Sequence, residues 1–89
     1  MMFEDNISCV GTIDAASKFN IPNKVFYVFA APKGEASVNI ISLNARPCYN
    51  EEDVVCPITV GAWSPIVFSS VTPTSEQISA YTFYWGTEG

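Results

Sequence analysis

The chain consists of short runs of β-branched and aromatic residues, each bounded by Pro, Gly, Asn, Asp or Ser. The residues inside the runs favour a pleated strand, and the bounding residues are those that turns require. The runs recur about every 8–12 residues, the strand spacing of antiparallel sandwiches and small barrels. No long segment carries apolar residues at the helical period. A parallel sheet is not expected either, because its crossover helices would not fit between the runs.

We therefore predict an all-β protein, a small antiparallel β-sandwich with jelly-roll-like topology, six to seven strands and less than about 15% helix. Residues 1–89 form one domain, and residues 1–6 are expected to be a flexible N-terminal arm. The predicted strands are residues 7–13, 24–31, 37–43, 54–60, 66–71 and 78–85.

Strand breakers refine this prediction. Gly11 indicates a bulge or a close approach of another group to the backbone. Pro57 restricts its run to an edge strand, a bulge or the start of a strand, because it cannot donate a ladder hydrogen bond. The adjacent Ile40 and Ile41 could share one face only if a bulge lay between them.

Helix is expected only locally. Residues 15–19 would form a single helical turn. The stretch "TPTSEQ", residues 72–77, reads as a turn, although Thr or Ser followed three residues later by Glu or Gln also resembles a helix capping box. The β-branched and aromatic residues that follow favour a strand over a helix.

The composition indicates more apolar surface than one small core can bury. Hydrophobic residues make up 48% of the chain and charged residues only 15%, against a usual charged share of about 25%. A chain of this length buries only about 60–65% of the surface of its unfolded form. Contacts between subunits are the simplest destination for the excess.

The C-terminal strand shows where such a contact would lie. Tyr81, Phe83 and Trp85 alternate onto one face, and Tyr84 lies on the other together with Ile78 and Ala80. An antiparallel sheet usually leaves one face polar and hydrated. A strand that is apolar on both faces therefore predicts that one face packs on the core and the other on a partner.

Charge disfavours nucleic acid and membrane partners. The net charge is −5, and the basic residues Lys18, Lys24, Lys33 and Arg46 stand singly in the sequence. No basic cluster is present that could bind phosphates or an anionic bilayer. The N-terminal segment is acidic, unlike a secretory signal, and the longest apolar run is far shorter than the ~20 residues that span a bilayer. A soluble protein made in the cytosol is expected, unless a leader was removed.

The cysteines favour a reduced protein. Cys9, Cys48 and Cys56 are odd in number and show no disulfide-dense spacing. We predict three reduced, mostly buried thiols. The alternative is a bridge between Cys48 and Cys56 across the stretch "CYNEEDVVC".

No residue pattern indicates catalysis, so we predict that the protein is not an enzyme and uses no cofactor. The chain has no histidine, the commonest general base and neutral metal ligand. The three thiols are too widely spaced for a zinc site. The acidic stretch "NEEDV" could offer oxygen ligands to Ca²⁺, but it lacks the ligand alternation and the Gly of tight calcium loops. A solvated loop is the favoured interpretation.

Two tryptophans lie beside turn residues and leave an alternative open. Trp63 follows "GA" and Trp85 precedes a Gly. Tryptophans on turns can stack on sugar rings, which would make the chain a small carbohydrate-binding module. Core or subunit contacts are the competing interpretation, because indoles bury a large apolar area.

The order of the segments "VFYVFAAP", "ASVNIISL", "ITVGAWSPIVFSSVTP" and "ISAYTFYWG" resembles that of small β-structured virion proteins of tailed bacteriophages. These are capsid decoration or cement proteins and head spike-base proteins. The resemblance covers about residues 21–86 and includes a Val-Gly turn at residues 60–61, an apolar strand, a Thr/Ser-rich turn at residues 72–75 and a closing aromatic-Gly pair. The stretch "CYNEEDVVC" and the three cysteines depart from it.

The resemblance implies a non-catalytic structural protein that binds a phage shell and stabilises it, or anchors a fibre. Its partners would be copies of itself, with a trimer favoured, and the major capsid protein or other virion proteins. It would be located in the virion after assembly in the host cytoplasm. The residues predicted for contacts with other copies or with the capsid are Trp63, Ile78, Tyr81, Phe83, Tyr84 and Trp85.

Overall fold

The fold consists of six strands and one short helix within residues 7–34 and 38–88, which are the residues that the computed structural model describes. The elements are β1 (Ile7–Ile13), β2 (Tyr27–Pro32), β3 (Ile40–Pro47), β4 (Val54–Thr59), β5 (Phe68–Thr72), α1 (Ser75–Ala80) and β6 (Tyr81–Glu88). The predicted N-terminal arm, residues 1–6, lies outside the described residues.

The strands form two antiparallel sheets of three strands each. Sheet A has the order β1-β6-β2, and sheet B has the order β4-β3-β5. Three of the pairings are nested in sequence order. The strands β3 and β4 pair with each other, Phe26 before them bridges to Phe68 after them, and the first strand, β1, pairs with the last, β6. Within the sheets β2 also pairs with β6, and β3 with β5, so β6 and β3 are the two middle strands.

The core lies between the two sheets and is formed by alternating residues of both. Its members are Ile13, Phe26, Val28, Ala30, Ile41, Leu43, Ala45, Cys56, Ile58, Phe68, Val71 and Phe83. The radius of gyration is 12.1 Å, which is the value of about 12 Å expected for a compact domain of this length. The prediction of an all-β antiparallel sandwich is confirmed.

Two strand breakers have the predicted effects. The register of β1 against β6 shifts between Cys9 and Gly11, which is the bulge. A Cβ on Gly11 would lie 2.9 Å from Nε1 of Trp85, so the close approach is present as well. Pro57 lies on β4, an edge strand of sheet B. Ile40 and Ile41 alternate instead of sharing a face, since Ile40 is 60% exposed and Ile41 only 9%.

Local predictions were wrong at the end of β3 and in residues 15–19. Strand β3 does not end at Leu43 but continues through "NARP" to Pro47, because its outward Asn44 and Arg46 alternate with inward Ala45 and Pro47. Residues 15–19 form bends and an isolated bridge rather than a helical turn. Here Phe19 exchanges backbone hydrogen bonds with Val71, and this pairing holds the segment extended on β5.

The segment before β6 is a helix, not the start of the strand. Thr74 caps α1: its Oγ1 accepts the Gln77 N–H at 3.1 Å, and the Gln77 side chain accepts the Thr74 N–H at 3.0 Å. These two bonds complete the capping box that the sequence offers. Ile78 is therefore helical and half-buried against the core, rather than beside Tyr84 on the outer side of a strand.

Candidate interaction surface

Strand β6 is the middle strand of sheet A and divides its aromatic side chains between the two faces. Phe83 is paired with Ala30 and Ile13, and Trp85 with Val28 and Gly11. These partners face the core, so Phe83 and Trp85 lie on the inner face of the sheet.

Tyr84 lies on the opposite, outer face of sheet A, where the register pairs it with Phe29 and Thr12. This placement of Tyr84, opposite to Phe83 and Trp85, agrees with the alternation read from the sequence. Tyr81 is on the inner side, in register with Pro32 and half-buried against the core.

The inner aromatics form a packed cluster. The ring of Trp85 lies 5.8 Å from that of Phe19 and 5.9 Å from that of Phe26, and Gly11 provides the space for its indole. Phe83 is only 1% exposed. Phe83 therefore has no surface to offer a partner, and its inclusion among the contact residues is corrected.

The outer face of sheet A carries a second set of rings, which we name the outer aromatic cluster: Phe29, Trp63 and Tyr84. The Phe29 ring centroid is 5.4 Å from that of Trp63 and 6.3 Å from that of Tyr84, both in edge-to-face geometry. All three side chains are half-buried. Edge-to-face pairs at these distances are favourable beyond the area that they bury.

The chain between β4 and β5 places Trp63 on this face by pairing with the free edge of β2. The Gly61 N–H donates to the Ala30 carbonyl at 2.9 Å, and the Ser64 N–H donates to the Val28 carbonyl at 2.8 Å. The Ser64 hydroxyl accepts the Val28 N–H at 3.0 Å and donates to the Ile66 carbonyl at 2.9 Å. The indole is thus held by a backbone that is fixed on both sides.

Gly86 provides the space under Trp63. A Cβ at this position would lie 2.9 Å from Cη2 of the indole, 3.0 Å from Cγ2 of Ile7 and 2.5 Å from the Ser8 carbonyl oxygen. Only glycine allows β1, β6 and Trp63 to approach one another this closely.

The described part of the outer face is almost free of charge. By register it also carries Ile7, Cys9, Thr12, Tyr27, Ala31, Thr82, Gly86 and Glu88. Among these described residues only Glu88 is charged, and it stands at the end of β6. A neutral, aromatic outer face differs from the polar face that a free-standing antiparallel sheet usually presents.

The structure separates the six predicted contact residues into three groups. Trp63 and Tyr84 lie together on the outer face, whereas Tyr81, Phe83 and Trp85 belong to the inner face and Ile78 to α1. Sequence reasoning missed Phe29. Its signal was the alternation in "YVFAA", where Phe29 has the opposite phase to the buried Val28 and Ala30.

The cysteines are reduced, as predicted, but only one is buried. None of the three forms a disulfide; Cys9 and Cys48 are exposed and Cys56 is buried. The bridge between Cys48 and Cys56 is absent, although residues 48–53 do form the loop that joins β3 to β4. Burial raises the pKa of the Cys56 thiol.

We expect this difference to appear in thiol labelling. In the folded protein near neutral pH, Cys9 and Cys48 should react fast with a disulfide reagent, and Cys56 should react only after unfolding, because a buried thiol with a raised pKa holds little thiolate. The measurement is the number of protein thiols that react before and after addition of denaturant. In Cys9→Ser and Cys48→Ser controls the fast phase should lose one thiol each. Three fast thiols in the folded protein would contradict the burial of Cys56.

The acidic loop is solvated. Glu51, Glu52 and Asp53 are exposed, and Asp53 lies 3.9 Å from the Lys18 ammonium. Across residues 7–34 and 38–88, no group of three or more His, Cys, Asp or Glu side chains is placed to hold a metal ion. In the same residues, no helix has the length and apolar character needed to cross a membrane.

Comparison of the chain with protein-family models, with curated proteins and with solved structures gives no match.

Proposed function

We propose that this chain is a non-catalytic structural protein of a bacteriophage particle, of the capsid decoration, cement or spike-base kind. It assembles with copies of itself and with the major capsid protein or other virion proteins, and it is incorporated in the virion in the host cytoplasm. The observation that carries the assembly role is the neutral outer face of sheet A with its cluster of Phe29, Trp63 and Tyr84. The resemblance of its segment order to phage virion proteins supports a role in the phage particle and assembly as a trimer.

The physical basis is the composition of the outer face. Aromatic residues are enriched and charged residues depleted at the centres of protein interfaces. The rings of the outer aromatic cluster are already half-buried by one another, so a partner covers only their remaining surface. Each contact is therefore modest, and many copies on one particle add their contributions.

The alternative, a carbohydrate-binding module that uses Trp63 and Trp85, is disfavoured by the geometry. The two indoles lie on opposite faces of sheet A, and Trp85 is packed against Phe19 and Phe26. They cannot form one platform for a sugar ring. Saturable glycan binding that is lost in Trp63→Ala would support this alternative against the structural role.

The test of assembly is the Tyr84→Glu variant. A carboxylate on the outer aromatic cluster would have to lose its hydration in a contact, which is costly without a partner charge. We expect light scattering to show an oligomer for the wild-type protein and a monomer for Tyr84→Glu, with unchanged far-UV circular dichroism. The matched control is Tyr49→Glu, because Tyr49 is 72% exposed and lies in the loop between β3 and β4.

Two results would contradict the contact. A wild-type protein that stays monomeric at high concentration does not assemble through this face by itself. A Tyr84→Glu variant that remains an oligomer while keeping its fold places the contact elsewhere. Mass spectrometry of purified phage particles tests the particle role separately, and absence of the chain from them would overturn that role.

A further inference from the structure

A second surface feature lies where the chain between β1 and β2 pairs with β5. Backbone bonds fix both ends of this segment: the Phe19 N–H donates to the Val71 carbonyl at 2.8 Å, and the Phe26 N–H donates to the Phe68 carbonyl at 3.0 Å. Between these anchors the chain makes a turn in which the Lys24 N–H donates to the Ile21 carbonyl at 3.1 Å and Asn23 has a φ of 63°. Proline before a residue of positive φ is the pattern of a type II turn.

The turn borders an open surface pocket of about 350 Å³, which we name the basic pocket. Its polar lining consists of Asn20, Asn23, Lys24, Arg46 and Ser69, and its apolar lining of Ile21 and Val25. Among residues 7–34 and 38–88, no acidic residue lines it. Each of the five polar side chains in this lining carries a hydrogen-bond donor, which suits a ligand rich in acceptors.

The charges of the basic pocket are not neutralised by the described residues. Of the four basic residues, Lys18 pairs with Asp53 and Lys33 donates to the Ile78 carbonyl at 2.8 Å. The other two, Lys24 and Arg46, both line the pocket, and neither forms an ion pair within residues 7–34 and 38–88. A chain with a net charge of −5 thus places two of its few cations at one cavity.

A second, independent observation concerns Arg46. Its Nε is buried and has no hydrogen-bond acceptor among the described residues. The residue opposite it on β5 is Ser70, which is 2% exposed and whose Oγ is likewise buried without a partner. A guanidinium is always charged, and a buried donor of a charged group without an acceptor is costly.

We propose that the basic pocket binds an oxyanion, a carboxylate or a phosphate group, between the Arg46 guanidinium and the Lys24 ammonium. The planar fork of an arginine matches both groups, and the lysine adds a second charge. Asn20, Asn23 and Ser69 supply neutral hydrogen bonds around it, and Val25 borders an apolar part of the ligand. The site does not depend on the proposed virion role.

The experiment uses the fact that Arg46 is the only arginine of the chain. In the ¹⁵N-labelled full chain, the arginine Nε–Hε signal therefore belongs to one known residue. Titration with inorganic phosphate and, separately, with sodium acetate is done at constant ionic strength maintained with sodium chloride. We expect a saturable shift of this signal with one of the two anions, together with shifts of the Asn23, Lys24 and Ser69 amides. The anion that saturates identifies the ligand chemistry.

Matched lysine variants separate a built site from general electrostatics. Lys24→Gln should weaken binding by about tenfold, because it removes a charge-assisted contact. Lys33→Gln removes the same charge away from the pocket and should leave the affinity within about twofold. The amide spectrum reports whether each variant keeps its fold. Shifts that stay linear with both anions, or equal weakening by Lys24→Gln and Lys33→Gln, would overturn the proposal.

Discussion

Replacement of Phe83 by alanine is expected to lower the free energy of unfolding by about 3–5 kcal/mol. Phe83 is 1% exposed and lies on the middle strand of sheet A between Ile13 and Ala30. Neither neighbouring strand can close the space, because both are held in register by β6. Since domains of this size are stable by about 5–15 kcal/mol, the loss would remove a large part of the total stability.

The measurement is urea unfolding monitored by circular dichroism and tryptophan fluorescence. Tyr49→Ala is the control, because it removes an aromatic ring that is 72% exposed and should change the stability by no more than about 0.5 kcal/mol. A loss below about 1 kcal/mol in Phe83→Ala would mean that this ring does not lie in a packed core.

Gly86→Ala is expected to destabilise the protein by about 1–3 kcal/mol or more, although it adds a single methyl group. The new Cβ would lie 2.5 Å from the Ser8 carbonyl oxygen and 2.9 Å from Cη2 of Trp63. The indole could rotate away, but the carbonyl belongs to the backbone of β1 and cannot move without breaking its register with β6. The variant therefore strains the pairing of β1 with β6 and also displaces Trp63.

Gly34→Ala is the matched control for this prediction, because no atom of the described part of the chain lies within 4 Å of a Cβ at Gly34. Thermal unfolding should separate the two variants clearly. Near-UV circular dichroism should change only in Gly86→Ala, since Trp63 loses its fixed contact there. Equal melting temperatures for the two variants and the wild-type protein would contradict the close packing of β1, β6 and Trp63.

The sequence predicts the parts of this fold that depend on alternation and on strand breakers. Strand β1 has the predicted bounds, Gly11 lies at the predicted bulge, and Pro57 lies on an edge strand. Each of these follows from local chemistry: an absent side chain or an absent N–H group. Local reasoning was insufficient at residues 44–47, where polar residues and a proline read as a loop. Strand β5 holds all four of them as a strand, and β4 also pairs with the first two.

The helix α1 shows how a cap can outweigh strand propensity. Ile78 and the aromatic residues after it favour a strand, but the hydrogen bonds between Thr74 and Gln77 start a helix that lasts to Ala80. The Gln77 side chain also donates to the Ser42 carbonyl of sheet B. That long-range contact stabilises the helix and could not be read from the segment itself.

The candidate sites were predictable only in part. The opposite orientation of Tyr84 followed from its phase in β6, whereas the packing of Trp63 on Phe29 depends on the pairing of residues 61–64 with β2. The basic pocket was not predicted at all. Lys24 and Arg46 stand singly in the sequence and meet because Phe26 and Pro47 both pair with Phe68.

The pairing of Ile7 with Glu88 has a mechanical consequence. Both ends of the described domain emerge side by side at one corner of sheet A. A load applied through these two ends would peel β1 from β6 one hydrogen bond at a time, instead of shearing the whole ladder at once, so the protein resists little tension along that line. The same closeness means that a short peptide could join the two ends, and new ends could be opened at the exposed loop around Glu51 and Glu52 without cutting a strand.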